Sequence, residues 1–295
     1  MKNWLPIAAL CFLSITARGQ DDSLLSMLGD EEEVTTYTTA SFKTNRVINL
    51  HSLESTSAGV LDFKISHRFG TLNRGAYELF GLDNASIRLG LDYGITNQLT
   101  VGIGRSSYQK AYDGFLKYKF LRQSSGKRNM PVSAALLATA AIQTLKWENP
   151  ERDNYFSSRL YYTYQLIVGR KFSENFSVQL SPTVVHRNLV ATNAEAHDVI
   201  AIAAAGRIKL TKRVALNAEY IYVLPDQLGP EYLNSLSIGF DIETGGHVFQ
   251  LHFTNSTSMI EKGFVTETTQ DWLDGGIHFG FNVSRVFTVV KPKFE

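Results

Sequence analysis

Charged residues alternate with large apolar residues in several stretches of this chain, and that spacing limits the chemistry they can perform. Asp62, Lys64 and Arg68 share one parity in the first such stretch, and Arg88 and Asp92 do so in the next. An alternation of period two places polar side chains on one face of a β-strand and apolar side chains on the other. A polar face carrying both charges is suited to contact with water or a dissolved solute, so these residues are candidates for lining an aqueous interior.

The same alternation assigns further charged residues to the polar face. The lumen-lining candidates selected from this face are Lys64, Arg68, Arg88, Asp92, Lys117, Lys119, Arg159, Glu219 and Asp241. The same alternation also places on this face Asp62, Gln165, Gln179, Arg207, Lys209, Asn217 and Gln250. Basic side chains outnumber acidic ones in this set, and a pore ringed by one sign of charge selects ions of the opposite sign. One hypothesis is therefore a pore that weakly favours anionic solutes. The alternative is that these charges pair across strands and brace a filled interior.

None of the seven histidines has the spacing expected of a catalytic or metal-binding residue. Barrel-shaped lipid hydrolases place a histidine base two residues from a serine nucleophile, and no histidine in this chain has a serine two residues after it. His247 and His252 fall on opposite faces of their strand, so they cannot share a metal ion. We therefore predict no enzymatic activity, no metal site and no cofactor.

The elements that position the charged residues are predicted to be β-hairpins, most clearly over residues 84–106. Polar and apolar residues alternate strictly from Ser86 to Tyr93, and after a turn at residues 94–98 the alternation resumes to Gly104. Two such runs joined by a tight turn predict an antiparallel hairpin. Similar runs continue to Val290 and give about twelve strands of roughly ten residues, the length that crosses a bilayer at a steep tilt.

The connections between these strands differ in length according to strand order. Long polar connections follow odd-numbered strands, at residues 70–83, 146–157, 187–198, 225–232 and 255–274. Short turns follow even-numbered strands, near Thr96, Ser173, Thr211 and Gly245, with a longer one at residues 124–130. Outer-membrane barrels have short periplasmic turns and longer extracellular loops. We therefore predict an all-β fold, a single antiparallel up-and-down transmembrane β-barrel in contact with outer-membrane lipid.

The N-terminus indicates secretion. A basic start, an apolar run over residues 4–15 and small residues before Gly19 form the pattern of a signal peptide cleaved after Gly19. The run is shorter than the roughly 20 residues of a membrane-spanning helix. Cys11 is the only cysteine and lies within the run, so the mature chain has no thiol for a disulfide or a metal.

Composition excludes one class of partner. The chain has 29 basic and 28 acidic residues, a formal charge of +1, and so lacks the basic surplus typical of proteins that bind nucleic acid. The predicted organisation is a signal peptide at residues 1–19, an acidic periplasmic segment at 20–40, a strand-like segment at or in the barrel mouth at 41–58, and the outer-membrane β-barrel at 59–295. The acidic segment is either a flexible tail or a docking element for a periplasmic protein.

Short motifs occur between residues 41 and 123. They are Phe42, RVIN at 46–49, GVLDF at 59–63, HRFG at 67–70, FGLD at 80–83, YGIT at 93–96, and GRSS at 104–107 with Lys110. These motifs resemble a Gram-negative outer-membrane β-barrel family that is catalogued only as a domain of unknown function. The resemblance implies a barrel in the outer membrane and no accepted activity, so it assigns no catalytic residue.

These observations together predict a passive channel or transporter for a small solute with some preference for anions, gated or partly occluded by residues 41–55. The alternative is a non-transporting membrane scaffold that binds a periplasmic partner through residues 20–40. A lipid-modifying barrel enzyme is disfavoured because the histidine and serine spacing described above is missing.

Overall fold

The computed structural model describes residues 34–291 of the chain. Within this range twelve antiparallel strands form a closed barrel, in which each strand pairs with its neighbours in sequence and the last pairs with the first. The strands are β1 (Val60–Thr71), β2 (Ala85–Gly94), β3 (Leu99–Ser106), β4 (Tyr112–Leu121), β5 (Ser133–Ile142), β6 (Leu160–Lys171), β7 (Phe176–Arg187), β8 (Asp198–Lys209), β9 (Val214–Val223), β10 (Ser235–Glu243), β11 (Val248–Thr254) and β12 (His278–Thr288). The predicted all-β, up-and-down barrel of about twelve strands is confirmed.

Alternation within each strand determines which side chains face outward. In β2, Arg88 and Asp92 are buried inside the barrel, whereas Leu89 and Leu91 on the opposite face are 46% and 39% exposed. Large apolar residues are exposed in the same way on strands β3 to β12, and on β1 the outward-facing apolar residues are half-buried. An outer surface of this kind is stable when it contacts lipid hydrocarbon rather than water. Among residues 34–291 no helix has the length and apolar character needed to cross a membrane.

The two ends of the barrel have different connections. We call one end the short-turn end, where residues 95–98, 172–175, 210–213 and 244–247 join strands and residues 122–132 form a longer connection. The other is the long-loop end, with connections at 72–84, 107–111, 143–159, 188–197, 224–234 and 255–277. The prediction that every short turn follows an even-numbered strand is wrong for residues 107–111, which follow β3. There the Ser106 N–H bonds directly to the Ala111 carbonyl and closes the connection early.

The chain enters the barrel wall from the short-turn end. The two-residue strand Thr36–Tyr37 pairs with Ser124–Ser125 in the longer connection at that end, and β1 begins there. The predicted signal peptide, residues 1–19, and most of the predicted acidic segment, residues 20–40, lie outside the described residues. Both assignments stay predictions.

Two segments fill the interior of the barrel. We call residues 41–56 the plug and residues 255–268 the inner loop, which contains the short helix α1 (Glu261–Thr266). Nearly every residue of both segments is buried. Phe42, Val47 and Leu50 of the plug pack with apolar wall residues of β7 to β9 and with the inner loop. Leu53 packs in a second cluster formed by β4, β5 and β6.

A glycine marks the place where the plug leaves the interior. The carbonyl oxygens of Thr56 and Ser57 lie so close to Gly94 that an added Cβ would overlap both of them. Ala58 then pairs with Gly94 in a parallel bridge, and the Gly59 N–H bonds to the Gly94 carbonyl. The glycine of the YGIT motif therefore gives the chain room to pass from the lumen to β1.

Candidate functional site

The plug has an irregular backbone that folds back on itself at a tip formed by residues 47–50. The Val47 N–H donates to the Leu50 carbonyl at 2.8 Å, and the Ser52 N–H donates to the Asn45 carbonyl at 2.9 Å. A buried backbone without a regular strand ladder needs other hydrogen-bond partners. Side chains of the barrel wall supply most of them.

Glu219 of β9 holds the tip of the plug. Its carboxylate accepts hydrogen bonds from three consecutive backbone N–H groups, those of Ile48 at 3.2 Å, Asn49 at 2.9 Å and Leu50 at 3.0 Å. Consecutive N–H groups in a turn form a concave nest that binds an anion. The carboxylate is almost fully buried, so this anchor is shielded from solvent.

Lys117 of β4 holds the other arm of the plug. Its ammonium group donates to the backbone carbonyls of Asn45 at 3.4 Å, Ser52 at 3.1 Å and Glu54. An ammonium has three N–H donors, and here every one of them has a carbonyl of the plug as its partner. Lys117 is completely buried, and no acidic side chain appears among these hydrogen-bond partners.

Neutral amide side chains bind the plug between these two charges. Gln179 of β7 uses both ends of its amide, donating to the His51 carbonyl at 2.8 Å and accepting from the Leu53 N–H at 3.2 Å. Such paired contacts match the donor and acceptor of a peptide group. They fix the backbone on either side of Ser52 against β7.

Two further amides lie on the last two strands. Gln250 of β11 donates to the Val47 carbonyl at 2.8 Å, and Asn282 of β12 donates to the Ile48 carbonyl at 3.1 Å. The tip is therefore bound on its carbonyl side by amides and on its N–H side by Glu219. The wall contacts the plug from β4, β7, β9, β11 and β12.

The remaining charges of the wall pair mainly with one another. Lys64 lies 2.8 Å from the Asp92 carboxylate and 3.4 Å from that of Asp62. The Arg88 guanidinium pairs with Asp113 through two of its nitrogens, one at 2.9 Å. These buried pairs satisfy the charges of Lys64, Asp92, Arg88 and Asp113 within the wall.

Arg68 of β1 contacts both filling segments. One guanidinium nitrogen donates to the Ser256 carbonyl of the inner loop at 2.6 Å, and the other donates to the Asn49 side-chain oxygen of the plug at 2.9 Å. Arg46 of the plug pairs with Glu261 of the inner loop at 2.7 Å. The plug and the inner loop therefore meet inside the barrel through charged groups.

The inner loop has a second polar cluster, which lies at the long-loop end of the barrel. The Lys262 ammonium donates to the Gln109 side chain at 2.6 Å, pairs with Glu267, and lies 4.2 Å from the centre of the Tyr161 ring. Burial raises the pKa of nearby Tyr108, and the Glu267 carboxylate raises it further. Tyr108 therefore stays protonated and uncharged at neutral pH.

The structure places the nine predicted lumen residues in different surroundings. Lys64, Arg68, Arg88, Asp92, Lys117, Glu219 and Asp241 are buried inside the barrel. Lys119 is half-buried towards the short-turn end. Arg159 lies instead in a turn at the long-loop end, 3.7 Å from the Trp147 ring, because β6 begins one residue later at Leu160. The predicted strand therefore begins one residue too early, at Arg159 instead of Leu160.

Arg46 and Glu261 are the residues that sequence patterns missed. Both lie in irregular segments, where no period-two alternation assigns a face. Arg46 belongs to the RVIN motif, which indicates a resemblance to a family and assigns no role to this residue. Glu261 lies in the long connection at residues 255–277. This connection folds into the barrel through contacts with the wall, which the sequence pattern does not record. Among residues 34–291 no group of three or more His, Cys, Asp or Glu side chains is arranged to hold a metal ion.

A closed barrel with an apolar outer surface and a polar, filled interior is the architecture of a membrane β-barrel protein. The chain belongs to the family described as membrane bound beta barrel domain (DUF5777), whose model matches residues 42–287. The match begins at Phe42 and so includes the plug as well as the barrel. The predicted membership of a β-barrel family of unknown function is confirmed.

Solved structures with a similar fold are distant in sequence. The NanC porin has 7% identity and a TM-score of 0.47, over 77% of this chain and 98% of that chain. The KdgM porin has 10% identity and a TM-score of 0.46, over 77% and 99%. Omp33 of Acinetobacter baumannii has 11% identity and a TM-score of 0.38, over 77% and 97%. At these values the similarity carries no argument about a solute. A search of curated proteins finds no match.

Proposed function

We propose that the protein is an outer-membrane channel for passive passage of a small solute, closed at rest by the plug and the inner loop. The short-turn end faces the periplasm in this proposal, as in other barrels of the outer membrane. The observation that carries it is the way the plug is held. The polar contacts of the plug with the wall are hydrogen bonds to side chains such as Glu219, Lys117 and Gln179. Water can replace each of these hydrogen bonds when the plug leaves.

Apolar contacts set the cost of opening. Phe42, Val47, Leu50 and Leu53 of the plug are nearly fully buried, and burying each such side chain contributes roughly 1.5–3 kcal/mol. Four of them therefore oppose opening by roughly 6–12 kcal/mol in total. Spontaneous opening is then rare, and passage of a solute requires a ligand or partner that favours the open state.

The charges exposed by opening support a weak preference for anions. Lys117 has only plug carbonyls as partners, and Arg68 has one partner in the plug and one in the inner loop. Glu219 loses its backbone donors at the same time. Lys64 and Arg88 keep their acidic partners in the wall. Opening therefore frees two cationic groups and one anionic group on the lumen surface.

Conductance in planar lipid bilayers tests the proposal. The purified full chain should give rare openings, whereas a variant lacking both filling segments, residues 41–56 and residues 255–268, should conduct steadily because its lumen is unplugged. Heat-modifiable migration on SDS gels checks that the variant is a folded barrel. A folded variant without conductance would show that the lumen is not a pore.

A non-transporting scaffold is the second candidate. Thr36–Tyr37 pairs with Ser124–Ser125 at the short-turn end, and the acidic residues 30–33 come shortly before this strand in the sequence. A periplasmic protein with a basic surface is the partner that such residues would bind. Deleting residues 20–33 should then remove a co-purifying protein and leave conductance unchanged. A lipid-modifying activity is not expected, and the release of fatty acids from lipid vesicles by purified protein would contradict that expectation.

A further inference from the structure

The wall of the barrel binds the plug mainly through the plug's backbone. Six wall side chains contact backbone N–H or carbonyl groups, and these side chains are Thr100, Lys117, Gln179, Glu219, Gln250 and Asn282. Polar contacts between the wall and plug side chains are fewer and involve Lys43, Asn45 and Asn49. Every peptide has the same backbone groups, so this surface has the chemistry of a peptide-binding site.

We propose that the channel's solutes are short zwitterionic peptides, and that the plug occupies their binding site in the closed state. This inference rests on the proposed channel function and names its substrate class. The plug is then a tethered competitor, because an incoming peptide gains the same hydrogen bonds that the plug gives up.

The spacing of two charged wall residues fixes the length of the peptide. The Leu50 N–H contacts the Glu219 carboxylate at 3.0 Å, and the Ser52 carbonyl contacts the Lys117 ammonium at 3.1 Å. Residues 50–52 therefore span the lumen between an anionic and a cationic group. A free tripeptide in their place has its terminal ammonium at Glu219 and its terminal carboxylate at Lys117, where each charge meets its opposite.

The positions of these residues in the ring agree with a ligand that crosses the lumen. Glu219 lies on β9 and Lys117 on β4, five strands apart in a ring of twelve and so nearly opposite. Gln179 on β7 lies between them and contacts the His51 carbonyl and the Leu53 N–H. Through the His51 carbonyl this amide recognises the middle residue of the tripeptide, and the two charged groups recognise its ends. The Leu53 N–H lies one residue beyond the tripeptide.

Side-chain pockets next to these groups are apolar. Leu50 packs against Val185, Val199 and Ile221 of β7 to β9. Leu53 packs in the cluster of Phe115, Ala135, Leu137 and Ile167. Peptides with an apolar first residue therefore fit best, because they fill the pocket that Leu50 occupies in the closed barrel.

The test uses the barrel lacking both filling segments, residues 41–56 and residues 255–268, in planar bilayers. The probe is the tripeptide Leu-His-Ser, the sequence of residues 50–52. The peptide should block the current reversibly in a saturable way. Its acetylated and amidated form should block about tenfold more weakly, because it lacks the charges that pair with Glu219 and Lys117. Raffinose, a trisaccharide of similar size, should give no saturable block.

Variants localise the site. In the same background Glu219→Gln should weaken the block by Leu-His-Ser about tenfold and leave the block by the capped peptide unchanged. Asp241→Asn is the matched control, since Asp241 is a buried lumen carboxylate that bonds to Gln250 and has no hydrogen bond to the plug among those of the described residues. An equal effect of both variants would overturn the assignment of the ammonium to Glu219.

The outcomes separate this inference from the function on which it rests. A folded barrel that lacks both filling segments and does not conduct overturns the channel itself. A conducting barrel that peptides do not block, or that raffinose blocks equally well, overturns only the peptide assignment. If the deletions prevent assembly, the full-length protein decides the peptide assignment: Leu-His-Ser should compete with the plug and accelerate amide exchange over residues 47–52. No acceleration, or an equal effect of raffinose, overturns the peptide assignment.

Discussion

The Arg46 guanidinium and the Glu261 carboxylate form a buried salt bridge of 2.7 Å, with side chains 7% and 3% exposed. Arg46 also donates to the Asn49 carbonyl at 2.7 Å, which holds the tip of the plug in shape. The His51 ring lies 3.4 Å from the same carboxylate. The salt bridge is therefore a direct link between the segment that enters from the short-turn end and the segment that enters from the long-loop end.

Replacing Glu261 should loosen the plug without unfolding the barrel. Glu261→Gln leaves the Arg46 charge buried with only a carbonyl partner, and removing one partner of a buried ion pair costs about 3–5 kcal/mol. Amide hydrogen exchange over residues 46–52 should accelerate at least tenfold, while exchange in the barrel strands stays unchanged.

The matched control for that experiment is Glu267→Gln. Glu267 pairs with Lys262 at the long-loop end of the same segment, and it has no hydrogen bond to the plug among those of the described residues. If both variants accelerate exchange in residues 46–52 equally, the salt bridge is not what holds the plug to the inner loop.

Gly94→Ala should destabilise the packing of the plug against the wall. An added Cβ overlaps the Thr56 and Ser57 carbonyls, and forcing such a shift in a well-packed interior costs about 1–3 kcal/mol. The temperature at which the barrel loses its heat-modifiable migration should fall. Gly206→Ala should leave it unchanged, since a Cβ there meets only the Ser177 carbonyl at 3.8 Å.

The ion pair between Arg88 and Asp113 should stabilise the folded barrel, so the effects of replacing the two residues should be coupled. Gly104 leaves space for the Arg88 guanidinium, because a Cβ at residue 104 would overlap that group. Arg88→Ala leaves the Asp113 carboxylate buried without its partner, at a cost of about 3–5 kcal/mol. The double variant Arg88→Ala, Asp113→Ala should lose less than the sum of the single variants when unfolding by urea is measured in detergent micelles. Strictly additive losses would indicate that the two residues do not interact.

A charged residue introduced on the outer surface of the barrel should destabilise the protein in a membrane. Leu89 lies on the outward face of β2 and is 46% exposed, and a lysine at the centre of a bilayer costs about 2–4 kcal/mol in a membrane barrel. Leu89→Lys should therefore reduce the yield of folded barrel in lipid vesicles. Gln98→Lys in the turn at residues 95–98 is the control, and it should fold normally because that turn lies outside the membrane.

Sequence patterns predicted the barrel, its charged inner face and a segment at or in its mouth, but not the contacts that hold that segment. Alternation in β2 placed Arg88 and Asp92 on one face and Leu89 and Leu91 on the other, because each residue's face depends only on its parity along the strand. The conformation of the plug depends instead on contacts with wall residues more than a hundred positions away, such as Glu219 with Asn49. No local period records a contact of that kind. Residues 41–58 were accordingly predicted as strand-like, whereas the described backbone there is a series of bends with an isolated bridge between Arg46 and His51.

The bond between Asn282 and the Ile48 carbonyl has a consequence for the order in which the molecule is built. Asn282 belongs to the last strand, and that strand completes the barrel by pairing with β1. Ile48 lies just ahead of β1 in the chain. Pairing between the first and last strands and complete binding of the tip of the plug therefore both require the last strand to be in place.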